Sequence, residues 1–438
     1  MPAGAGNATA ENVRNNTSQR TAGIGLQLTL TGKLAGRENQ LSIGASTDSS
    51  RTRFTSEEQE GLFGANRGAD VIGAFTLDTA AGTRNRNTGV YITNTLALTR
   101  ALHLTLSGRY NQTRVVIADQ SGVELALNGS HRFRGFNPAA GLTFNPVAGF
   151  TAYASYNEGM RTPTPVELTC ADPAAPCKLP NAFLADPPLN PVIAKTWETG
   201  ARGTLGNTLK WRAAVYRTEL QDDIQFVNSS VTIDSGFFQN TGRTRRQGLE
   251  LGGEYRTGAL TFSGGYSYTD ATYRTPFTLA SPNNSSAVDT DGDGAPDTIQ
   301  VTTGKRIPGI ARHLVKLRAE YEWRAKSSIG LSLMSAAAQH ARGDENNSDA
   351  QGKVPGYTVL HLDAGVAIGK DWRLTAKINN LTKRRYQTFG VLGTNFFRGP
   401  GGTFDATAAM PEQFRSSGAP RSAWVGIEYR LDPPSKSR

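Results

Sequence analysis

HLVKLRAEYEWR, residues 313–324, sorts its side chains by strict alternation. Val315, Leu317, Ala319, Tyr321 and Trp323 fall on one side of an extended chain. Lys316, Arg318, Glu320, Glu322 and Arg324 fall on the other. Wound as a helix, the same residues would scatter charge all round, whereas a strand with its period of two separates apolar from charged completely. One face is made for an apolar medium and the other for water.

The pattern recurs on both sides of that stretch. Residues 357–368 set Leu360, Leu362, Ala364, Val366 and Ile368 against His361, Asp363 and Gly365, and residues 371–379 set Trp372, Leu374, Ala376 and Ile378 against Arg373, Thr375, Lys377 and Asn379. Upstream, residues 259–269 and 102–109 alternate in the same way. Fifteen such strands can be counted, from 22–34 to 421–431, with 67–78 either a further strand or part of a loop. Short turns at Gly206-Asn207, Thr257-Gly258, Ala325-Lys326 and Gly369-Lys370 alternate with long polar segments near 160–193, 273–310, 341–356 and 383–420. Trp211, Tyr255, Trp323 and Trp372 sit beside the short turns, where an interface girdle belongs. Short turns on one side and long loops on the other are the asymmetry of an outer-membrane barrel.

Composition agrees. In 438 residues only 37% are hydrophobic, 48 are glycine, and the mean hydropathy is −0.41. No stretch approaches the roughly 20 apolar residues of a spanning helix, so the chain crosses a bilayer as a closed barrel or not at all. The fold expected is all-β: an antiparallel transmembrane β-barrel over 21–431, preceded by a polar segment 1–20 and followed by an extension 432–438. The net charge of +10 is spread through strands rather than clustered, which speaks against a nucleic-acid partner and for lumen charges or contacts with anionic lipopolysaccharide.

Several segments, in order, resemble TonB-dependent receptors. They are Tyr153-Ala154-Ser155-Tyr156-Asn157-Glu158-Gly159-Met160-Arg161-Thr162-Pro163, Leu189-Asn190-Pro191 with Trp197-Glu198-Thr199-Gly200, and Asn240-Thr241-Gly242 with Arg246, Gly248 and Glu250. Further on come Tyr266-Ser267-Tyr268-Thr269-Asp270-Ala271, Ile307-Pro308-Gly309 with Arg312-His313, and Asn379-Asn380-Leu381-Thr382 with Tyr386. Gly426, Tyr429 and Leu431 resemble the terminal signal by which outer-membrane barrels are recognised for assembly. The resemblance implies a 22-stranded barrel around an N-terminal plug, located in the bacterial outer membrane. It further implies energised uptake of a scarce nutrient such as a ferric siderophore, driven by TonB–ExbB–ExbD through the plug. Set against that pattern, this stretch of sequence is expected to be a fragment without signal peptide, TonB box, plug and about seven strands, and an odd strand number fits an incomplete barrel with an open or strained seam. A passive porin-like channel is the alternative function. An outer-membrane enzyme is a third, but no catalytic grouping of Ser, His, Asp or Cys emerges.

Candidate sites are few. Glu158, Arg161 and Glu167 stand where a strand meets an outer loop, as a ligand vestibule or as turn residues; Arg384, Arg385 and Arg398 lie in the last outer loop and could attract anionic chelates. Asp289, Asp291, Asp293 and Asp297 have the spacing of a Ca²⁺ loop, but Gln300 replaces the bidentate Glu, and a solvated acidic loop is the other reading. Cys170 and Cys177, close together in a Pro-containing loop, are expected to form a disulfide in an oxidising compartment. No other cofactor is indicated.

Overall fold

The computed structural model describes residues 9–64, 68–123, 127–169, 177–178, 189–228, 235–290, 292, 294–324 and 327–430. Fifteen long strands follow one another in a single antiparallel path, each paired with the next in chain order. They are β1 Ala10–Leu34, β2 Arg37–Phe63, β3 Thr76–Ala97, β4 Leu102–Asp119, β5 Gly129–Phe144, β6 Phe150–Arg161, β7 Val192–Leu205 and β8 Leu209–Gln221. The path continues through β9 Thr244–Thr257, β10 Leu260–Tyr273, β11 His313–Arg324, β12 Ser327–Ala336, β13 Tyr357–Ile368, β14 Trp372–Asn379 and β15 Ser422–Tyr429. A sixteenth strand, Ala69–Val71, pairs only with β2. Among the described residues β1 and β15 are not paired with each other, so each leaves one edge unpaired.

The connections alternate strictly. Tight links such as Ala35-Gly36 and Gly258-Ala259 close one end of the wall. Ala35 and Gly36 have φ of 49° and 79°, the left-handed pair of a two-residue hairpin whose twist matches its strands. Long connections close the other end: 161–192, 221–244, 273–313, 336–357 and 379–422. The long-connection side is therefore the outer one, and β1 runs inward.

Direct cross-strand partners share a face, so register identifies lipid and lumen. Leu26, Ala45, Val90, Tyr110 and Phe136 stand abreast on β1 to β5. Leu26 is 73% exposed. Further round, Phe262, Ala319, Leu331, Leu362 and Ile378 stand abreast on β10 to β14. Along β1 the outward apolar residues run from Ile24 to Leu34. On a strand tilted about 40° that rise is about 25 Å, the height of an outer-membrane apolar band. Near the tight turns, Trp372 packs on Tyr429 with ring centroids 4.6 Å apart, and Phe150 lies 6.1 Å from Trp211, forming the lower aromatic girdle.

One boundary differs from the expectation. The polar segment 1–20 is strand from Ala10 onward, since β1 pairs with β2 without a break from Ala10↔Gly61 to Leu34↔Arg37. Above the band neither face need meet lipid, so Thr, Asn, Ser and Arg occupy both, and the apolar alternation that marks a strand is absent. The buried core lies here, on the inner face and beneath the outer connections. Val115 and Ile117 of β4 pack with Leu168, Leu189, Val192 and Ile224. A second cluster joins Val227, Tyr273, Leu279, Ile299 and Val301 under short rim strands.

Candidate functional site: the outer rim and the inner wall

The rim places the predicted vestibule residues differently from one another. Thr164 precedes the short helix Pro165–Thr169 and accepts the Glu167 N–H at 3.3 Å, while Glu167 Oε2 accepts the Thr164 N–H at 2.8 Å. This reciprocal capping box satisfies two donors that the helix start would otherwise orphan. Arg161 Nη1 donates to both oxygens of the same carboxylate, at 2.9 and 2.8 Å. Arg161 and Glu167 thus hold each other and a helix terminus.

Glu158 belongs to the outside of the wall, which corrects its assignment to the vestibule. Its row is Glu158↔Lys195, one step above Tyr156↔Trp197 on the lipid-facing parity. The Tyr156 and Trp197 rings lie 4.5 Å apart at a tilt of 40°, the Tyr156 hydroxyl donates to Glu158, and Lys195 Nζ lies 3.9 Å from Glu158 Oε1. Motif order could not reveal this; parity within β6 could.

Arg384, Arg385 and Arg398 are exposed in the connection 379–422 and make no ion pair among the described residues. Asn380, buried and with φ of 50°, shapes this turn: its side chain accepts the Arg384 N–H at 2.8 Å and donates to the Arg384 carbonyl at 2.8 Å. In the acidic loop, Asp289 accepts the N–H groups of Gly292 and Gly294 at 2.7 and 2.9 Å. Asp297 accepts Thr290 N and Oγ1. Both carboxylates brace the turn, while Asp291 and Asp293 lie outside the described residues. So do Cys170, the Cys177 side chain and Leu431. Gly426 pairs with Thr375, where a Cβ would come 2.9 Å from Oγ1.

The connection 336–357 holds the most buried polar groups. Asp344 Oδ1 accepts the N–H groups of Ser348 and Asp349, and its Oδ2 lies 2.6 Å from His340 Nδ1. Beside it burial pushes the Glu345 carboxyl up to about 7, and its Oε2 has no hydrogen-bond partner. Arg342 lies over the Phe226 ring at 5.1 Å and ties this connection to the neighbouring rim strand.

The inner wall carries a surface that no motif marked. A cavity of about 990 Å³ borders Arg202, Lys210, Arg212, Lys316, Arg318 and His361. Register sets Arg202, Arg212, Gly252, Gly265 and Lys316 in one row, and the Arg212 side chain lies across Gly252, where a Cβ would come 2.7 Å from its Nε. Arg202, Arg212 and Lys316 make no ion pair among the described residues. Arg318 is spent locally: it forks onto Asp363 at 2.6 and 2.9 Å and reaches Glu320 at 2.8 Å. What remains is a basic, water-facing strip that can receive an anion.

Comparison with known proteins is consistent along the chain. The family model described as TonB dependent receptor-like, beta-barrel matches residues 2–381. The probable TonB-dependent siderophore receptor PiuA of Acinetobacter baumannii is 25% identical over 308 residues, covering 69% of this chain and 37% of that protein. The ferric-pyoverdine 358 receptor of Pseudomonas putida is 24% identical over 356 residues, covering 79% and 35%. Among solved structures, PiuA of Acinetobacter baumannii superposes with a TM-score of 0.65 at 19% identity, over 95% of this chain and 56% of that one. The ferric-catecholate import receptor Fiu of E. coli gives 0.62 at 16%, over 94% and 55%. The chain therefore spans less than half the length of these curated relatives.

Proposed function

Since this chain belongs to the TonB-dependent receptor β-barrel family, an outer-membrane family, we propose that it supplies barrel wall and outer rim to a receptor that takes up a scarce nutrient, most fittingly a ferric siderophore. The observation that carries the reading is the family match over residues 2–381. The unpaired Arg202, Arg212 and Lys316 on the inner wall suit an anionic chelate, as do the exposed Arg384, Arg385 and Arg398 above. Energy from TonB–ExbB–ExbD would reach the wall through a plug. The porin-like alternative is set aside, because the relatives named above are a siderophore receptor and a ferric-pyoverdine receptor. The rim also folds over the inner face around Leu168 and Leu189 instead of leaving a bare mouth.

The test is deletion of the coding region in the source bacterium, followed by measured accumulation of radiolabelled iron from a panel of ferric siderophores. Loss of uptake for one chelate, abolished equally by dissipating the proton gradient and restored by the intact gene, supports the reading. Unchanged, gradient-independent uptake of every chelate overturns it.

A further inference from the structure

We propose that the outward face of β1 to β5 binds the phosphates of a phosphorylated glycolipid of the outer leaflet, lipopolysaccharide, at a built site just above the apolar band. The register puts Arg20, Arg51 and Arg84 side by side on β1, β2 and β3. It puts Arg86, Arg114 and Arg132 side by side on β3, β4 and β5. All six are exposed and share the parity of Leu26, Val90, Tyr110 and Phe136 below them, so they point away from the lumen. Like charges directly opposite one another across a ladder are destabilising.

Nothing in the wall relieves that repulsion. None of the six makes an ion pair among the described residues, and the side-chain hydrogen bond they make is Arg114 Nε to Ser130 Oγ at 3.3 Å. Three outward cations elsewhere do have acidic partners. Farther out on the same hairpin, Arg14 pairs with Glu57 at 2.8 Å. Round the wall, Lys195 lies 3.9 Å from Glu158 and Arg217 lies 2.5 Å from Glu219. Both rows lie in one sector of the wall, where Arg53 and Arg134 share their parity and likewise make no ion pair among the described residues.

The shape fits an amphiphile. A groove of about 870 Å³ runs between the arginines, over the small residues Ser18, Gly82 and Ala118. Towards the membrane, the same face carries an apolar groove of about 610 Å³ lined by Leu26, Ile43, Val90, Ile92, Tyr110 and Phe136. Strands lie about 4.8 Å apart, so three guanidinium groups abreast span about 10 Å. Each planar fork can take two phosphate oxygens. A soluble phosphate would use the upper groove alone, whereas a molecule with phosphates above acyl chains uses both.

The experiment uses the intact protein extracted from outer membrane and exchanged into phosphatidylethanolamine nanodiscs. These contain bisphosphorylated lipid A, the same lipid dephosphorylated, or phosphatidylglycerol at matched charge. Bound lipid is read by native mass spectrometry. Bisphosphorylated lipid A should be retained, the other two not. The triple variant Arg51→Gln, Arg84→Gln, Arg114→Gln should lose retention by on the order of a hundredfold, the effect of three basic groups at an anionic lipid surface. Lys195→Gln, outside the patch, should leave it unchanged. Equal retention of lipid A and phosphatidylglycerol, or a triple variant that retains lipid A like the parent, overturns the proposal. If the triple variant fails to fold, the comparison of the three lipids on the parent protein still decides. Siderophore uptake has no part in this readout.

Discussion

Phe63, at the outer end of β2, lies with its ring centroid 5.0 Å from that of Phe397, in the connection between β14 and β15. Phe404 completes the contact at 5.1 Å from Phe63. The second strand of the sheet and its last outer connection thus meet at the rim, although β1 and β15 are unpaired below. Each aromatic pair of this kind contributes about 1 kcal/mol beyond area burial. Phe63→Ala should therefore loosen the connection 379–422, seen as faster amide exchange there and unchanged exchange in β10 and β11.

The two faces of β11 give a sharper contrast. Leu317→Arg, on the lipid side, should destabilise the barrel by roughly 2–4 kcal/mol if it lies near the bilayer midplane. Lys316→Ala, on the inner strip, should cost far less. Membrane refolding titrations measure both, and equal effects would contradict the face assignment.

The buried Glu345 makes the rim sensitive to pH. Its carboxyl is raised from the usual 4.5 to about 7 in the folded protein, so the folded state holds the proton more tightly than the unfolded one. Its contribution to stability is then full below 4.5, falls by about 1.4 kcal/mol per pH unit as pH rises from there to about 7, and is gone above it. Amide exchange over 343–350 should be slower near pH 5 than near pH 8 after correction for intrinsic rates. Glu345→Gln should flatten the difference.

The capping box at Thr164 and Glu167 separates support from ligand contact. Thr164→Ala removes a cap at a cost of about 1 kcal/mol without altering charge. If Glu167 acts through the helix start, Thr164→Ala and Glu167→Ala should weaken ferric-chelate binding in parallel. Loss in the second with none in the first would return Glu167 to the ligand itself.

The wall was legible from residues alone because lipid and water meet opposite sides of each strand, and HLVKLRAEYEWR writes both media into one line. Parity also held unread information: it assigns Glu158 to the outside and Arg202, Arg212 and Lys316 to the inside. The upper half of β1 was not legible, since water on both faces demands no alternation there. The rim was harder still. Leu168, Leu189 and Ile224 come from three segments whose meeting depends on how long connections fold, and local spacing carries no record of that. The arginine rows emerge only once register is known, because Arg20, Arg51 and Arg84 are neighbours across strands and far apart along the chain.

The unbroken register of β1 against β2 also governs how this gene can lengthen or shorten. One codon inserted within β1 would exchange every side chain beyond it between oil and water, while two would leave each on its own side. A bulge can absorb an odd residue, as at Ser56/Glu57, but that one stands above the apolar band. Insertions and deletions in the membrane-crossing wall should therefore survive in pairs, and those in the outer connections in any number.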